Sequence, residues 1–306
     1  MTDSEVLIRY NLDDFFSFKN LNEYLPNDLE KYCLSNNNSK LTIRKEFYNE
    51  LNEITESAFN KIDPNDILIK NTIREYLNII SKSNYDLILD KLKTIKFTNK
   101  NHFQILCEEL TNRSMNDSIA SKGIDITNDS NYISEINTEI VKEFCKFYIK
   151  VSEDDGESHT IKFLKVITSY CQKTFLDFLD DSKPLDENNK HRIENYKGFM
   201  NFMGLLYKKN IIKDKIIFVC MSSIINFIFD GKINKYECDN FIGGYIRLLN
   251  QILLSIDYNN DDNDNKSFIN SVLELSNIVI EKNIKNEKIS NIHILSLSNY
   301  IEKLKN

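Results

Sequence analysis

Two apolar stretches near the middle of the chain, 163–175 and 197–229, show the pattern that the rest of the sequence repeats. In the first stretch the apolar positions recur at helical spacing: Phe163, Leu164, Val166, Ile167, Tyr170, Cys171 and Phe175. The second stretch has a polar break at 208–210 and is then apolar on nearly every side from 216 to 229. These patterns predict one helix with a single buried face and a later helix that lies inside a stack.

Helical patterns and polar breaks alternate along the remainder of the chain. They predict helices in five successive pairs: 68–82 with 84–95, 101–112 with 133–151, 160–180 with 196–208, 213–229 with 236–257, and 266–285 with 288–305. Pairs of about 40 residues are typical of a HEAT-type repeat. Only seven glycines and three prolines occur in 306 residues, too few for the turns of a β-rich or α/β protein. The predicted fold is therefore all-α, a HEAT-type α-solenoid of about five antiparallel helix pairs.

The first part of the chain has a different pattern, with short aromatic clusters, a polar run at 36–39 and a turn signal at 63–66. We therefore predict a semi-ordered N-terminal arm over 1–65 and one helical domain over 66–306. Within the arm, Tyr10 precedes two phenylalanines by five and six residues, and Asn11 or Asp13 can cap a short helix there. Such a helix would present aromatic side chains to a partner: Phe15, Phe16 and Phe18.

The charge balance limits the partners of the chain. Its formal net charge is −7, so a phosphate backbone would be repelled except at local basic patches. One such patch lies where a helix pair turns: Lys208, Lys209, Lys213 and Lys215. This cluster can hold an RNA phosphate or a carboxylate of a partner, or it can be an ordinary solvated helix end.

Residues for catalysis or metal binding do not cluster in the sequence. The six cysteines are widely separated and form no Cys-x-x-Cys pair, and the histidines at 102, 159, 191 and 293 are dispersed. The acidic loop at 257–265 lacks the glycine and the final glutamate of a calcium loop. No Gly-rich phosphate loop or nucleophile elbow occurs. We predict a protein without enzymatic activity, metal or cofactor, in which Cys171 and Cys220 are buried small hydrophobes.

The sequence also predicts a cytoplasmic protein. The N-terminus is acidic and lacks the apolar core of a secretory signal. The longest apolar run, 216–229, is shorter than the roughly 20 residues that cross a bilayer. It also contains polar residues at Ser222, Ser223 and Asn226. We therefore expect no membrane contact, and we expect reduced cysteines.

Four short motifs in the helical region have counterparts in one protein family. They are Gly-Phe-Met-Asn-Phe-Met-Gly-Leu-Leu-Tyr at 198–207, Cys-Gln-Lys-Thr-Phe at 171–175, Leu-Asn-Ile-Ile-Ser-Lys-Ser-Asn-Tyr-Asp at 77–86, and Arg-Leu-Leu at 247–249. Together they resemble the middle domain of the translation initiation factor 4-gamma scaffold, over about residues 70–305. Two positions depart from the family pattern: Tyr170 replaces an arginine, and Leu253 replaces a glycine.

The first motif has a physical meaning of its own. Gly204 would let two helices approach closely, and bulky side chains would fill the seam between them: Phe202, Leu206 and Tyr207. A further motif, in the arm, is similar to the Tyr-x-x-x-x-Leu-Φ sequence by which such scaffolds hold the cap-binding protein. Its residues are Arg9, Tyr10, Phe15, Phe16 and Phe18. Here Phe15 replaces the usual leucine.

The resemblance implies a translation initiation scaffold. Such a scaffold binds the cap-binding protein through the arm, binds and stimulates a DEAD-box RNA helicase through the helical domain, and supports recruitment of mRNA. The implied helicase contacts lie in two loops, at Ser83, Asn84, Tyr85, Lys232 and Asp239. Contacts to RNA or to an acidic partner are expected at the basic cluster and at Lys173. The alternative is a regulator with the same domain, which sequesters the helicase or acts in mRNA decay or nuclear cap binding. We expect a monomer.

Overall fold

The computed structural model describes residues 63–120, 132–152, 158–180, 182–255 and 263–305, all within the unit Leu51–Asn306. In chain order its elements are α1 (Pro64–Ile79), α2 (Tyr85–Thr94), α3 (Lys100–Ala120), α4 (Tyr132–Phe144), β1 (Tyr148–Ser152), β2 (Ser158–Lys162), α5 (Phe163–Phe178), α6 (Lys190–Lys208), α7 (Asp214–Asp230), α8 (Lys235–Leu253), α9 (Asn263–Asn286) and α10 (Asn291–Lys305). Single turns of 3-10 helix at Lys82–Asn84 and Glu187–Asn189 precede α2 and α6. The predicted all-α class is confirmed, and one short hairpin is the exception within the described residues.

The first helix begins where the sequence indicated a turn. Pro64 occupies the first helical position, and the carboxylate of Asp63 accepts a hydrogen bond from the backbone N–H of Asn65 (2.9 Å). An aspartate cap followed by proline is a common helix start, because the cap satisfies a free N–H and proline has none to satisfy. Residues 1–62 of the predicted arm lie outside the described residues.

Five helices form a row in the order α1, α3, α6, α8 and α10, and each packs against the next. α1 and α3 run in the same direction. Near their starts, the amide of Asn101 donates to Asp66 (2.6 Å), and about two turns further along Arg74 donates to Glu109 (2.8 Å). The remaining helices pack against this row or against one another. The HEAT-type repeat and its number of pairs stay predictions.

The seam between α6 and α8 contains a glycine from each helix. A Cβ built on Gly204 would overlap the side chain of Gln251, and a Cβ built on Gly244 would overlap the ring of Tyr196. Tyr196 is fully buried, and its hydroxyl donates to the backbone carbonyl of Phe241 (3.1 Å). The absence of a Cβ at both glycines therefore permits the close approach of these two helices. The predicted role of Gly204 is confirmed.

The other residues of the seam motif are distributed as packing requires. Phe202 and Leu206 are fully buried in the core. Tyr207 is half-buried, and its ring centroid lies 5.5 Å from that of Phe268 on α9. Cys171 and Cys220 are both buried, as predicted. These residues fix the fold and leave no reactive group at the surface.

The hairpin corrects two predicted helices, 133–151 and 160–180. Residues 148–152 and 158–162 form strands instead, with Ile149 opposite Ile161 in an antiparallel pair. The apolar positions here alternate with a period of two, as at Ile149 and Val151, and β-branched residues favour that extended geometry. The backbone N–H of Phe163 donates to the carbonyl of Phe147 (3.1 Å), which closes the hairpin at the start of α5.

α3 is longer than the predicted 101–112, and a polar network explains the difference. The carboxylate of Asp117 accepts two hydrogen bonds of 2.9 Å from Ser134, one from the backbone N–H and one from the hydroxyl. Asn137 donates to the hydroxyl of Ser114 (2.9 Å). Burial raises the pKa of Asp117, and the bonds from Ser134 oppose that shift. Polar residues are thus part of the contact between α3 and α4. α6 is also longer than predicted, because it begins at Lys190 and not at 196.

A lysine after α9 closes the end of α7. The ammonium group of Lys288 donates to three backbone carbonyls, those of Ile228 (3.0 Å), Phe229 (3.4 Å) and Gly231 (3.0 Å). The last carbonyls of a helix have no partner within the helix, and they form its negative end. Lys288 satisfies both the hydrogen-bonding and the charge requirement of that end.

Candidate interaction surfaces

The first predicted helicase loop is mostly occupied by its own hydrogen bonds. Asn84 accepts from the N–H (2.6 Å) and the hydroxyl (3.0 Å) of Ser81, and its amide donates to the carbonyl of Ile79 (2.8 Å). Burial raises the pKa of Tyr85 to about 12, and nearby carboxylates add to the effect. Ser83 is exposed, and its hydroxyl lies 2.9 Å from that of Ser81. Asn84 and Tyr85 therefore stabilise the turn, and Ser83 is the exposed member of the three.

The second predicted loop divides in the same way. Lys232 is exposed between α7 and α8. The carboxylate of Asp239 accepts a hydrogen bond from the backbone N–H of Ser290 (2.8 Å), the residue before α10. Asp239 thus connects α8 to the start of α10, as a capping acceptor does. Lys232 is the member of this pair that remains open to a partner.

The basic cluster lies around a tight turn between α6 and α7. Asn210 has a positive φ of 59°, and the backbone N–H of Ile211 donates to the carbonyl of Leu206 (3.0 Å). This is the Schellman arrangement, in which a left-handed residue ends a helix and a buried apolar residue follows. The turn fixes the backbone from which the cluster projects.

The lysines of the cluster differ in their surroundings. Lys209 forms an ion pair with Glu139 on α4. Burial lowers the pKa of Lys215, which is half-buried. Lys208 and Lys213 are exposed, and Lys173 is exposed on α5. The cluster is therefore less basic toward solvent than the sequence implies, with Lys208 and Lys213 as its open members.

A groove that the sequence did not indicate lies across α1, α3 and α6. It has a volume of about 580 Å³. Its lining comes from one face of each helix: Arg74, Leu77 and Asn78 on α1, Glu109, Asn112, Arg113, Met115 and Asn116 on α3, and His191 and Asn195 on α6. On each helix the lining includes residues three or four positions apart, such as Arg74 and Asn78, Glu109 and Asn112, and His191 and Asn195, and these project on the same side. Eight of these ten residues have polar or charged side chains.

Ion pairs and hydrogen bonds order the charged side chains of this groove. The Nε atom of Arg74 donates to Oε2 of Glu109 (2.8 Å), and this contact is the main cause of the raised pKa of Arg74. The ammonium of Lys70 lies 3.5 Å from Oε1 of the same carboxylate. On α3, Arg113 donates to the amide oxygen of Asn137 (3.2 Å). Hydrogen bonds to neighbouring side chains therefore orient both guanidinium groups.

The thiols and histidines whose side chains the structure describes show no arrangement for chemistry. Burial raises the pKa of Cys220 to about 12 and that of Cys171 further, so neither is a thiolate near neutral pH. His102 is fully buried, with its ring nitrogen Nε2 3.0 Å from Asp66. Among the described residues, no group of three or more His, Cys, Asp or Glu side chains is placed to hold a metal ion. Within the same residues, every helix is too short or too polar to cross a membrane.

The cap-binding-protein motif lies outside the described residues: Arg9, Tyr10, Phe15, Phe16 and Phe18. Comparison of the sequence with models of known protein families gives no match, and comparison with curated proteins gives none either.

Proposed function

We propose that this chain is a scaffold of translation initiation, which bridges a cap-binding protein and a DEAD-box RNA helicase and stimulates the helicase. The observation that carries the proposal is the α6–α8 seam. Gly204, which belongs to the first motif of the resemblance, packs in this seam, and Phe202 of the same motif is fully buried. The resemblance therefore concerns residues that a fold of this kind needs, and it extends over about 70–305.

The helicase would contact the helical domain at exposed positions of two turns. Ser83 and Lys232 are the exposed residues among those that the resemblance suggested. A scaffold that binds both lobes of a helicase raises ATP turnover by shifting the helicase toward its near-closed state, without any chemistry of its own. Lys208 and Lys213 would add a local contact to RNA phosphate, which is favourable on an acidic protein only where lysines are exposed.

A helicase assay tests the first half of the proposal. Purified chain is added to a purified DEAD-box helicase of translation initiation with RNA and ATP, and both complex formation and ATP turnover are measured. We expect a complex and a severalfold rise in turnover. Ser83→Arg with Lys232→Glu should abolish both effects, and Lys285→Glu, an exposed charge reversal on α9, should change neither. Failure of the wild-type chain to bind would refute the helicase role, and binding with lower turnover would support the sequestering regulator instead.

A pull-down with cap-binding protein tests the second half. The full chain should retain the cap-binding protein, and Tyr10→Ala with Phe15→Ala should release it. A matched control replaces aromatic residues of the same kinds elsewhere in the first 62 positions, Tyr24→Ala with Phe47→Ala, and should retain it. Retention by the first double variant would mean that the motif is not the binding site. We place the scaffold in the cytoplasm as a monomer, which fractionation and light scattering can examine.

A further inference from the structure

We propose that the outer edge of β1 binds an extended segment of a partner protein, which adds a third strand to the hairpin and places a carboxylate opposite Lys150. This goes beyond the scaffold role, because no residue of β1 or β2 is among the contacts assigned to the helicase, to RNA or to the cap-binding protein. Three features of the hairpin support it: its register, its anchorage to the core, and the side chains of its exposed face.

The register of the hairpin turns one row of β1 backbone groups outward. The backbone N–H of Phe163 donates to the carbonyl of Phe147 (3.1 Å), so this pair and every second pair after it, beginning with Ile149 and Ile161, are the hydrogen-bonded ones. The N–H and C=O groups of the intervening residues of β1 point away from β2. These residues are Tyr148, Lys150 and Ser152.

The outward backbone groups of β1 have no partner within the described part of the chain. No hydrogen bond from another described residue reaches them. β1 pairs with β2 and packs against no other described element to a comparable extent, whereas β2 also packs against α5. A strand edge with unpaired N–H and C=O groups is a template for a further strand. The available edge of the hairpin is therefore that of β1.

The hairpin is anchored, so this edge has a fixed position. Its inner face packs on the core through Ile149, which is 8% exposed, and Ile161, which is partly buried. The ring of Phe147 stacks on that of Phe144 with 4.8 Å between the centroids, and this contact holds the chain just before β1. A pre-formed edge loses little conformational freedom when a segment binds, which favours affinity.

The other face of the hairpin carries exposed side chains that are available to a partner. In the ladder Tyr148 lies opposite Lys162, and Lys150 lies opposite Thr160. All four are exposed, Tyr148 by 58%. Within the described part of the chain, none of the four side chains forms a hydrogen bond or an ion pair. Two lysines without a bound carboxylate therefore share this face with the ring of Tyr148.

These side chains define the sequence of the added strand. The residue directly opposite Lys150 would place its side chain on the same face, so Asp or Glu there forms a cross-strand ion pair. The residue opposite Tyr148 pairs best if it is aromatic or β-branched. In antiparallel pairing the acidic residue comes first and the apolar residue follows two positions later. The pattern is therefore an acidic residue, any residue, and then an aromatic or β-branched one.

The sequence after β1 limits the number of carboxylates in the segment. Residues 153–157 lie outside the described residues, and four of the five are acidic. Further carboxylates that followed Lys150 in this direction would meet like charges near in sequence. We therefore expect one acidic residue in the bound segment and not an acidic run.

Lys150 also disfavours pairing between two copies of this chain. If the β1 edges of two copies paired antiparallel over their full length, Lys150 of one copy would lie directly opposite Lys150 of the other. Like charges in that position destabilise a ladder, and lysine on an edge strand commonly prevents such pairing. A shift of two residues avoids the contact but leaves two pairs of outward residues instead of three. The charges therefore favour a partner strand with a carboxylate over a second copy.

Selection from a displayed library of random nonapeptides tests the proposal on the full chain. We expect wild type to enrich peptides in which Asp or Glu precedes an aromatic or β-branched residue by two positions. Amide hydrogen exchange, followed by NMR, is then measured with the most enriched peptide. The peptide should slow exchange at Tyr148 and Lys150 severalfold, and it should leave exchange at Thr160 and Lys162 unchanged, because those N–H groups lie on the other edge.

Two proline variants separate the edge of β1 from that of β2. Lys150→Pro removes an outward N–H and the ammonium group, and it should weaken binding of the peptide about tenfold in fluorescence anisotropy. Thr160→Pro removes the outward N–H of the residue paired with Lys150, and it should bind the peptide as wild type does. Neither change removes a hydrogen bond between β1 and β2, so both variants should fold, which circular dichroism verifies.

A charge reversal tests the carboxylate without altering the backbone. Lys150→Glu should bind the wild-type peptide more weakly, and in a new selection it should enrich peptides with Lys or Arg where wild type selects Asp or Glu. This readout remains decisive even if Lys150→Pro is unstable. Lys285→Glu, the reversal of an exposed lysine on α9, should select the same peptides as wild type.

Four results would overturn the proposal. They are no enrichment of any peptide, enriched peptides whose affinity responds to neither change at Lys150, dimerisation of wild type that Lys150→Pro abolishes, and binding of a uridine oligonucleotide that Tyr148→Ala abolishes. The first two would show that the edge binds no peptide, the third would assign it to a second copy, and the fourth would assign the exposed face to RNA. Helicase stimulation does not depend on these residues, so its loss or retention reports separately on the scaffold role.

Discussion

Gly244 on α8 lies against the ring of Tyr196 on α6, so closely that no other residue fits at position 244 without movement. Gly204 stands in the reciprocal position against Gln251. Each helix therefore gives up a side chain where its neighbour has a large one. The consequence is an interlocked seam at the centre of the row, on which the positions of α3 and α10 also depend.

Alanine at these glycines should be destabilising in spite of its better helix propensity. Gly244→Ala should lower the free energy of unfolding by about 1–3 kcal/mol, the usual cost of overpacking a core. Gly204→Ala should have an effect in the same range. The measurement is urea unfolding followed by circular dichroism.

The neighbouring glycine provides the control. A Cβ on Gly243 would lie 3.5 Å from Lys197 and 3.9 Å from His293, which are ordinary contact distances. Gly243→Ala should therefore stabilise the protein by about 0.5–1 kcal/mol, the helix-propensity difference alone. Equal effects at 243 and 244 would contradict the seam geometry.

Removal of the lysine that closes α7 should be measurable on its own. Lys288→Met keeps most of the side-chain length but removes three hydrogen bonds to the end of the helix. We expect a loss of about 1–2 kcal/mol in the free energy of unfolding. Lys285→Met, an exposed lysine near the end of the same α9, should change stability by less than about 0.5 kcal/mol. If both variants behave alike, Lys288 does not support α7.

His293 should make the fold sensitive to mild acid. Burial lowers its pKa below the ordinary 6.5, Lys197 lowers it further, and Asp239 opposes the shift. The unfolded chain then takes up a proton more readily than the folded protein does, so stability that is present above the unfolded pKa is lost as the pH falls below it. Unfolding midpoints at about pH 7.5 and about pH 5.5 should differ less for His293→Gln than for wild type.

His191 provides the comparison for that experiment, because its side chain is exposed. His191→Gln should leave the difference between the two pH values as it is in wild type. A wild-type difference that persists in His293→Gln would assign the acid sensitivity to other groups.

A charge in the middle of the seam motif should unfold the domain. Phe202→Asp places a carboxylate at a fully buried position with no compensating partner expected, and such a change costs more than about 4 kcal/mol. The helical circular dichroism signal should collapse or melt far below that of wild type. Lys208→Asp, an exposed substitution on the same α6, should retain the signal. A folded Phe202→Asp protein would mean that the motif is not a packing element.

Periodicity predicted the helices well where one face is apolar and failed where buried positions are polar. The motif residues Phe202 and Leu206 are in the core, as their spacing indicated. The C-terminal part of α3 was missed because Ser114 and Asp117 are polar but buried, and hydrogen bonds compensate for their burial. A hydropathy pattern assigns such polar residues to the solvent-exposed surface. The hairpin was missed because Ile149 and Val151 continue an apolar pattern over too few residues to show its change of period.

The surface was less predictable than the core for a related reason. From the sequence, Asn84 and Asp239 are polar loop residues that could contact a partner. In the structure each side chain already accepts a hydrogen bond from a backbone N–H, that of Ser81 for Asn84 and that of Ser290 for Asp239. The groove could not be found from the sequence, because Arg74 and Asn195 are 121 positions apart in the numbering and meet only through the packing of α1, α3 and α6. Each of its asparagines alone is indistinguishable from an ordinary solvated one.

The contact between Lys288 and α7 has a consequence for the order of events during synthesis. The carbonyl of Gly231 accepts its hydrogen bond from Lys288, which is 57 positions later in the chain. While the ribosome is still producing α8 and α9, the end of α7 has only water to bond, and this part of the nascent protein should be open to proteases. Its final ordering is therefore a late event, set by the emergence of one lysine.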